Sequence, residues 1–391
     1  MNYDVVIIGA GPSGLALACL LAKKKLKIAI IEKNNLNKFS KPQNDGRDIA
    51  LTHRSINILE KIGINKFINT KSISTIKEAR VLDGNSPYYL QFDHKRTSKN
   101  NLGYLISSQI IKKALYRKLK SLKKIKIFTN CEVSKINNKN IYSKIYLKNK
   151  KIFKTKLTVI ADGRLSKIRK KLGIHSNITN FKTSMTVFRM KHEINNKNIA
   201  SEYFHYSQTI AILPIKKNLS SIVVTLPNNE LKNFLLMDKK KLNNEIENNL
   251  KFKLGKMNLI GKKFTYPMIT VFSNEFYRDR CVLIGDAAVG MHPVTAHGFN
   301  LNLRGIDILN NQINHALTKN KDIAEKGILK SYENKFKKVS LPIYLATNGL
   351  VKLYTSQKPI IKLARKSLLR IANITWPIKN ALIDNLLIKN S

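Results

Sequence analysis

Three short strings hold the residue types that chemistry requires. The first, Gly9-Ala10-Gly11-Pro12-Ser13-Gly14, follows an apolar run and opens a helical pattern. Glycine at its first position allows a tight turn, at its third lets a pyrophosphate approach the backbone, and at its sixth lets helix and sheet pack closely. The anion then rests on free N–H groups at the helix N-terminus. Glu32 ends the next apolar run, about 20 residues on, where a carboxylate accepts both ribose hydroxyls and disfavours a 2′-phosphate. FAD or NAD, not NADP, is the expected nucleotide. The second string, Gly285-Asp286-Ala287-Ala288, follows the apolar run Cys281–Ile284 and precedes Met291-His292-Pro293 and Gly298-Phe299-Asn300. An aspartate delivered there can take a sugar or ribityl hydroxyl. A helix opening at Gly298 can aim its N–H groups at the electron-rich pyrimidine edge of a flavin. The third is Ala161-Asp162-Gly163-Arg164-Leu165-Ser166 with Arg169 beyond it. It fits a turn beside a pyrophosphate, and alone it would be an ordinary Asp-Gly turn.

These residues need elements to hold them. Tyr3–Ile8 reads as a buried strand, Ser13–Lys25 as a helix and Lys27–Glu32 as a second strand, a βαβ unit. The spacing predicts helix over Ile49–Ile62, a hairpin of Glu78–Leu82 and Tyr88–Phe92 around Asp83-Gly84-Asn85, and helix over Ile110–Leu122. Strands follow near Lys124–Phe128, Ile141–Leu147 and Leu157–Ala161, then at Met185–Lys191, Ser201–Tyr206, Thr209–Ile215 and Ser220–Leu226. One or two helices over Asn229–Leu254 and a strand at Phe264–Phe272 precede the strand Arg280–Ile284, and helices dominate from Phe299. The expected class is α/β: a Rossmann-like FAD-binding domain (1–72, 101–178 and 276–340) with an inserted, mostly antiparallel β-sheet substrate domain (73–100 and 179–275). Residues 341–391 form a C-terminal helical segment with Trp376, apolar at Pro342–Val351, Pro359–Leu369 and Ile378–Ile388 and basic elsewhere. Such a segment can cap the first domain or lie on a membrane surface.

The 391 residues carry 71 Lys and Arg against 24 Asp and Glu, a formal charge of +47. The charge is mostly lysine spread along the whole chain, which argues against a nucleic-acid reader with one basic face. Compositional drift toward Lys, Asn and Ile and attraction to anionic lipid both fit it. Cys19, Cys131 and Cys281 sit far apart among apolar neighbours, as buried thiols do. No metal-ligand spacing occurs. The chain opens directly on MNYDVVIIGAG and holds no apolar run long enough to cross a bilayer. A cytoplasmic protein is expected, with peripheral contact at the inner face of a membrane left open.

GAGPSG, DGRLSKIR and GDAAVGMHP, in this order, together resemble the flavoprotein aromatic hydroxylases, the class A FAD-dependent monooxygenases. Arg47-Asp48-Ile49-Ala50-Leu51 leading to Ser55, Leu59 and Gly63 is similar to that family's early arginine helix. Within the family, Ile210–Pro227 and Gly285–Leu309 resemble the ubiquinone-biosynthesis hydroxylases. Thr295-Ala296-His297-Gly298-Phe299-Asn300 looks like the 5-demethoxyubiquinol hydroxylase branch, UbiM, with His297 where most relatives carry glutamine.

The resemblance implies FAD bound by Gly9, Gly11, Pro12, Ser13, Gly14, Glu32, Arg47, Asp162, Asp286, Gly298, Phe299 and Asn300. It implies oxygen activated as a flavin C4a-hydroperoxide and transferred to the ring of a polyprenylated ubiquinone precursor, with Pro293 shaping the reactive face. The partners implied are a lipid-like phenol or quinol, O2, an electron donor (NAD(P)H or a reductase) and other quinone-biosynthesis proteins. His292 and His297 can polarise the phenol or the flavin, or be ordinary loop histidines. Tyr203, Phe204, His205 and Tyr206 lie on a strand that either faces substrate or packs within the sheet. The rival functions are oxygenation of another aromatic or isoprenoid compound, and a non-catalytic flavin-binding scaffold. A single tryptophan disfavours a halogenase, and the His-Pro string disfavours an isoprenoid reductase.

Overall fold

A computed structural model describes residues 1–35, 37–83, 89–122, 124–205, 208–292 and 297–355. The expectations for Tyr206, the Gly84-Asn85 turn, Pro293 and the tail beyond 355, Trp376 included, lie outside these residues. The chain opens with β1 (Asn2–Ile8), α1 (Pro12–Leu21) and β2 (Ile28–Ile31). All four β2 residues are buried, as are Gly14–Leu21 of α1, so this helix is enclosed rather than amphipathic. Next come α2 (Asn37–Ser40), β3 (Asp48–Leu51) and α3 (His53–Ile62). The helix expected from Ile49 is thus divided. Residues 48–51 pair antiparallel with a strand more than fifty positions away, and Thr52, whose side chain accepts from Ser55 N, caps a helix that starts only at His53. Gly63, left-handed at φ 84°, ends it.

The middle of the chain gives β4 (Ser74–Ile76), β5 (Glu78–Asp83), β6 (Tyr89–Asp93), β7 (Gly103–Ser107), α4 (Ser108–Lys120), β8 (Ile125–Phe128), β9 (Val133–Asn138), β10 (Ser143–Leu147), β11 (Ile152–Ile160) and α5 (Lys167–Lys171). Two strands of 17 residues, β12 (Ser176–His192) and β16 (Met257–Ser273), enclose β13 (Ile199–Phe204), β14 (Thr209–Lys216), β15 (Leu219–Pro227), α6 (Asn228–Leu236) and α7 (Lys239–Asn249). The chain closes with β17 (Tyr277–Arg278), β18 (Cys281–Leu283), β19 (Val289–Gly290), α8 (His297–Thr318) and α9 (Lys326–Thr355). Pro342, expected to begin a new segment, lies inside α9.

Three sheets result among the described residues. The first runs β17-β18-β11-β1-β2-β8, with β10 and β9 joined through β11. Its four contiguous pairs from β18 to β8 are parallel, and its apolar strands build the larger core with α1, α4 and α8. The second is β19-β16-β12-β15-β14-β13-β5-β6, antiparallel except where β13 meets β5. One face of it packs Phe188, Tyr203, Ile212 and Val224 against Phe234, Leu242 and Ile246 of α6 and α7. The other face carries Met185, Val187, Met268, Phe181, Val223 and Tyr266. A small sheet, β3-β7-β4, completes the set.

The second face of the large antiparallel sheet meets residues 45–48. Tyr266 Oη donates to Asp45 O at 2.7 Å, and Arg189 Nη2 donates to the buried Asp48 carboxylate at 2.8 Å. A Cβ on Gly46 would lie 2.4 Å from the Phe264 ring. An apolar sheet face therefore lies over the loop that leads into β3.

Candidate active site

Parallel register aligns the strand ends: Ile31, Ile8, Ile160 and Leu283 are successive partners across β2, β1, β11 and β18. The residues that follow them, Glu32, Gly9, Asp162 and Gly285, consequently gather at one edge. In an open parallel sheet, the crevice beyond the carboxyl ends of the strands is where a ligand binds.

The glycines of the first turn have different reasons for being glycine. Gly9 has φ 106°, and a Cβ there would sit 2.4 Å from Ala161 O; a Cβ on Gly14 would meet Gly9 O at 2.1 Å. Gly11, the N-cap of α1, has φ −66° and ψ 173°, which any residue adopts, and no atom lies within 4 Å of where its Cβ would be. The fold leaves that space open, and it is the space a pyrophosphate needs. Pro12 fits the first turn because its missing N–H would have no helical partner there. Ser13 lies against Gly285, whose Cβ would be 2.4 Å from Ser13 Oγ, so the first and second motifs touch. Buried Glu32 accepts Ala10 N on Oε2 at 2.8 Å, and Asn34 N (2.8 Å) and Asn34 Nδ2 (2.7 Å) on Oε1. The carboxylate is fixed beside the turn, and Oε2, with a single partner, keeps an acceptor position for a ribose hydroxyl.

Asp286 is held from two sides. Arg164 Nη2 donates to Oδ2 at 3.1 Å and Asn302 Nδ2 to Oδ1 at 2.8 Å. Arg169, fully buried, donates from Nη1 to Ala287 O at 2.8 Å, which ties the third motif to the second. Asp162 has a buried Oδ1 with no hydrogen-bond partner, and burial raises its pKa against bonds from Ser166 and Ile168 N. An orphaned acceptor at the mouth of the crevice suits a ligand hydroxyl. Arg164 and Asn302 were given no role from sequence. Their signal was present, an arginine inside the Asp-Gly string and an asparagine two residues past Asn300, but neither reveals a partner without the fold.

Arg47 ion-pairs with Asp45 at 2.8 Å and lies 5.0 Å over the Tyr266 ring. Burial works to lower its pKa, and the Asp45 bond and charge raise it overall. Burial likewise works to raise Asp45, but Arg47 and Lys112 bring that carboxyl down to about 2. The charge of Asp286 also reaches Arg47, so the arginine stays cationic where the loop, the crevice and the sheet face converge. Asn300 clasps the small sheet: Nδ2 donates to Ala50 O at 2.8 Å and Oδ1 accepts Thr52 N at 3.0 Å. His297 opens α8. A Cβ added to Gly298 would meet Met291 Cβ at an ordinary 3.7 Å, and Phe299 packs on the larger core. His292 is buried, edge-on to the Phe181 ring at 5.0 Å. Burial, then the charge of Arg164, lowers its pKa to about 4, so its imidazole is neutral at pH 7. Of the aromatic strand, Tyr203 points into the core beneath α7 and His205 stacks on it at 6.4 Å, while Phe204 belongs to the opposite face.

The crevice thus offers a helix N-terminus over open space, the Glu32 carboxylate after β2 and the Asp162 carboxylate after β11, on either side of β1, a set of groups that fits an adenine dinucleotide. A family model described as FAD binding domain matches residues 2–343. The chain is 37% identical over 390 residues to the ubiquinone hydroxylase UbiM of Neisseria meningitidis, covering 99% of this chain and 85% of that one. It is 27% identical over 363 residues to the ubiquinone hydroxylase UbiL of Rhodospirillum rubrum, 93% of this chain and 84% of that one. Among solved structures, p-nitrophenol 4-monooxygenase PnpA of Pseudomonas putida matches with a TM-score of 0.77 over 100% of both chains at 15% identity. PqsL of P. aeruginosa, in complex with 2-aminobenzoylacetate, matches with 0.75 at 16% identity, covering 91% of this chain and 97% of that one. At such identities the two structures speak for the fold alone. The chain belongs to the FAD-binding-domain family of flavoprotein monooxygenases, and its cofactor is FAD.

Proposed function

We propose that this monooxygenase hydroxylates the aromatic ring of a polyprenylated ubiquinone precursor such as 5-demethoxyubiquinol. The observation that carries this reading is the similarity to UbiM along 99% of the chain. The geometry is consistent: an apolar sheet face of Met185, Val187, Val223 and Met268 lies opposite Arg47 and the crevice, as a greasy quinol would require. In this reading residues 1–72, 101–178 and 276–340 hold the cofactor, 73–100 and 179–275 receive the substrate, and the described start of the C-terminal segment, 341–355, packs on the first through Ile343 and Tyr344.

Reduced FAD supplies the electrons that activate O2 and deliver one oxygen atom to the ring. The chain supplies position and a dry site. Gly11 and the α1 N-terminus take the pyrophosphate, Glu32 the ribose, Asp286 the ribityl chain, and Arg47 and the first residues of α8, Gly298–Asn300, the flavin. His292, neutral and buried, is a hydrogen-bonding group that adds no charge to the site. A quinol or phenol, O2 and an external reductant, NAD(P)H or a reductase, complete the reaction. The positive charge of the chain favours peripheral contact with an anionic membrane, where such a substrate dissolves; no helix among the described residues is long and apolar enough to cross one.

Mass spectrometry of the quinone pool tests the reading in a bacterial strain lacking its own ring hydroxylases, with and without this gene. Restored ubiquinone, or one defined hydroxylated intermediate, is expected. An unchanged pool in cells containing the yellow protein would sink it.

A further inference from the structure

Strand register places an acid where apolar residues surround it. On β13, Tyr203 turns toward α7, so Glu202 and Phe204 turn toward the crevice side. Glu202 pairs with Ala211 on β14, Ala211 with Val223 on β15, Val223 with Val187 on β12, and Val187 with Phe264 on β16. On its other flank Glu202 pairs with Val81 of β5. This row crosses the whole sheet face with one ionisable residue in it, and ends at the Phe264 ring that lies against Gly46 beside Arg47. The next row runs Phe204, Thr209, Thr225, Met185, Tyr266, and Tyr266 lies under Arg47. Strands lie about 4.8 Å apart, so Val223 is roughly 10 Å from Glu202, with only the small side chain of Ala211 between them in the row.

We propose that Glu202 is a ring-recognition residue, whose carboxyl hydrogen-bonds an oxygen substituent of the aromatic substrate and holds the ring over Ala211 and Val223. The proposal rests on the reading that this sheet face receives the substrate. Glu202 keeps part of its surface open to solvent while protein encloses it, as expected of a group lining a crevice. Burial raises its pKa to about 8 against a hydrogen bond from Thr209, and no charged neighbour contributes. By register the nearest ionisable side chain on this face is Asp83 of β5, one row along. At neutral pH the group is therefore an un-ionised acid, which both donates and accepts, the complement of a phenolic hydroxyl. A carboxyl enclosed between Val81 and Ala211 with one hydroxyl for company is costly if it serves only to join two strands.

The test uses the full-length, FAD-loaded protein with Glu202→Gln and Glu202→Leu, and a simple methoxyphenol as probe, its affinity read from the perturbed absorbance of the bound flavin. The leucine variant should bind the probe roughly tenfold more weakly while glutamine stays within about threefold, the span of one neutral hydrogen bond. Wild-type affinity should fall as the pH rises through about 8, and the glutamine variant should lose that step. A merely structural role would produce neither the pH step nor rescue by glutamine. Equal affinity in all three proteins, or no perturbation in the wild type, overturns the proposal. Turnover of a short-chain demethoxyquinol separates it from the functional reading. If phenol binding follows the expected pattern and the quinol is not hydroxylated, the substrate class is wrong and Glu202 stands. If the quinol is hydroxylated with unchanged KM in Glu202→Leu, Glu202 falls and the function stands.

Discussion

Replacing Gly11 with alanine separates what the fold needs from what the cofactor needs. The backbone at Gly11 suits any L-residue, and the new methyl would meet no protein atom within 4 Å. Alanine loses less chain entropy than glycine on folding but is a poorer N-cap, and the two effects, each below about 1 kcal/mol, oppose one another. The apoprotein should therefore melt within a few degrees of wild type. The same methyl projects into the space above the α1 N-terminus, where the pyrophosphate must approach backbone N–H groups. Losing two such charge-assisted bonds, at about 1.5–3 kcal/mol each, weakens FAD binding by at least two orders of magnitude. Gly9→Ala is the contrast. Its Cβ would lie 2.4 Å from Ala161 O at φ 106°, a strain of about 1–3 kcal/mol in the fold itself before any ligand binds. The assay is paired: melting of the apoprotein by circular dichroism, and FAD affinity by quenching of flavin fluorescence. A Gly11→Ala protein with wild-type FAD affinity, or one that loses stability as Gly9→Ala does, would refute the assignment of that space to a phosphate.

Asp286→Ala should lose its flavin on gel filtration while keeping its fold, because only Arg164 and Asn302 hold that carboxylate; a variant that elutes yellow contradicts the ribityl role. His292 carries a pH signature. Its pKa falls from 6.5 to about 4 through burial and then Arg164, so the unfolded chain takes up this proton first as the pH drops. Its contribution is full above pH 6.5, erodes below that and levels off under about 4, for a total of up to about 3 kcal/mol. Urea titrations across that window should show a flatter pH dependence in His292→Gln, and an identical slope would show that the imidazole titrates normally.

The parts that were legible in sequence are those whose cause is local. Gly9, Gly14 and Glu32 follow strands whose apolar runs announce them, and the turn that joins them spans few residues. Asp162 and Asp286 each follow an apolar run as well, but that they share one edge emerges only from the parallel register of β11 and β18. What escaped depended on distant chain. Ile49 resembles the start of a helix until β7 arrives to pair with it. The expected strands near Met185 and Phe264 extend to 17 residues each because they pair with one another. Arg164 and Asn302 acquire meaning only when the β11 turn and α8 converge on Asp286. The aromatic string beginning at Tyr203 drew attention for its rings, whereas register turned Tyr203 to the helices and the plainer Glu202 toward the crevice.

The pairing of β12 with β16 starts with Ser176 opposite Ser273, within a few residues of the proposed boundaries of the substrate domain. A stretch of nearly a hundred residues therefore enters and exits through neighbouring positions, and the remainder of the protein must bridge the same short gap whatever is built between them. Loops and helices inside the stretch can be lengthened, trimmed or exchanged as long as Phe181, Arg189, Tyr266 and Ile269 keep their contacts with His292, Asp48, Arg47 and Arg164. That makes it a cassette whose outside neighbours include the β5–β6 ribbon, residues 45–48 beside Tyr266 and Arg189, and β19 along β16. Changes of chemistry in lineages built on this plan have a ready unit to act on, and chimaeras cut at Ser176 and Ser273 have a natural pair of joints.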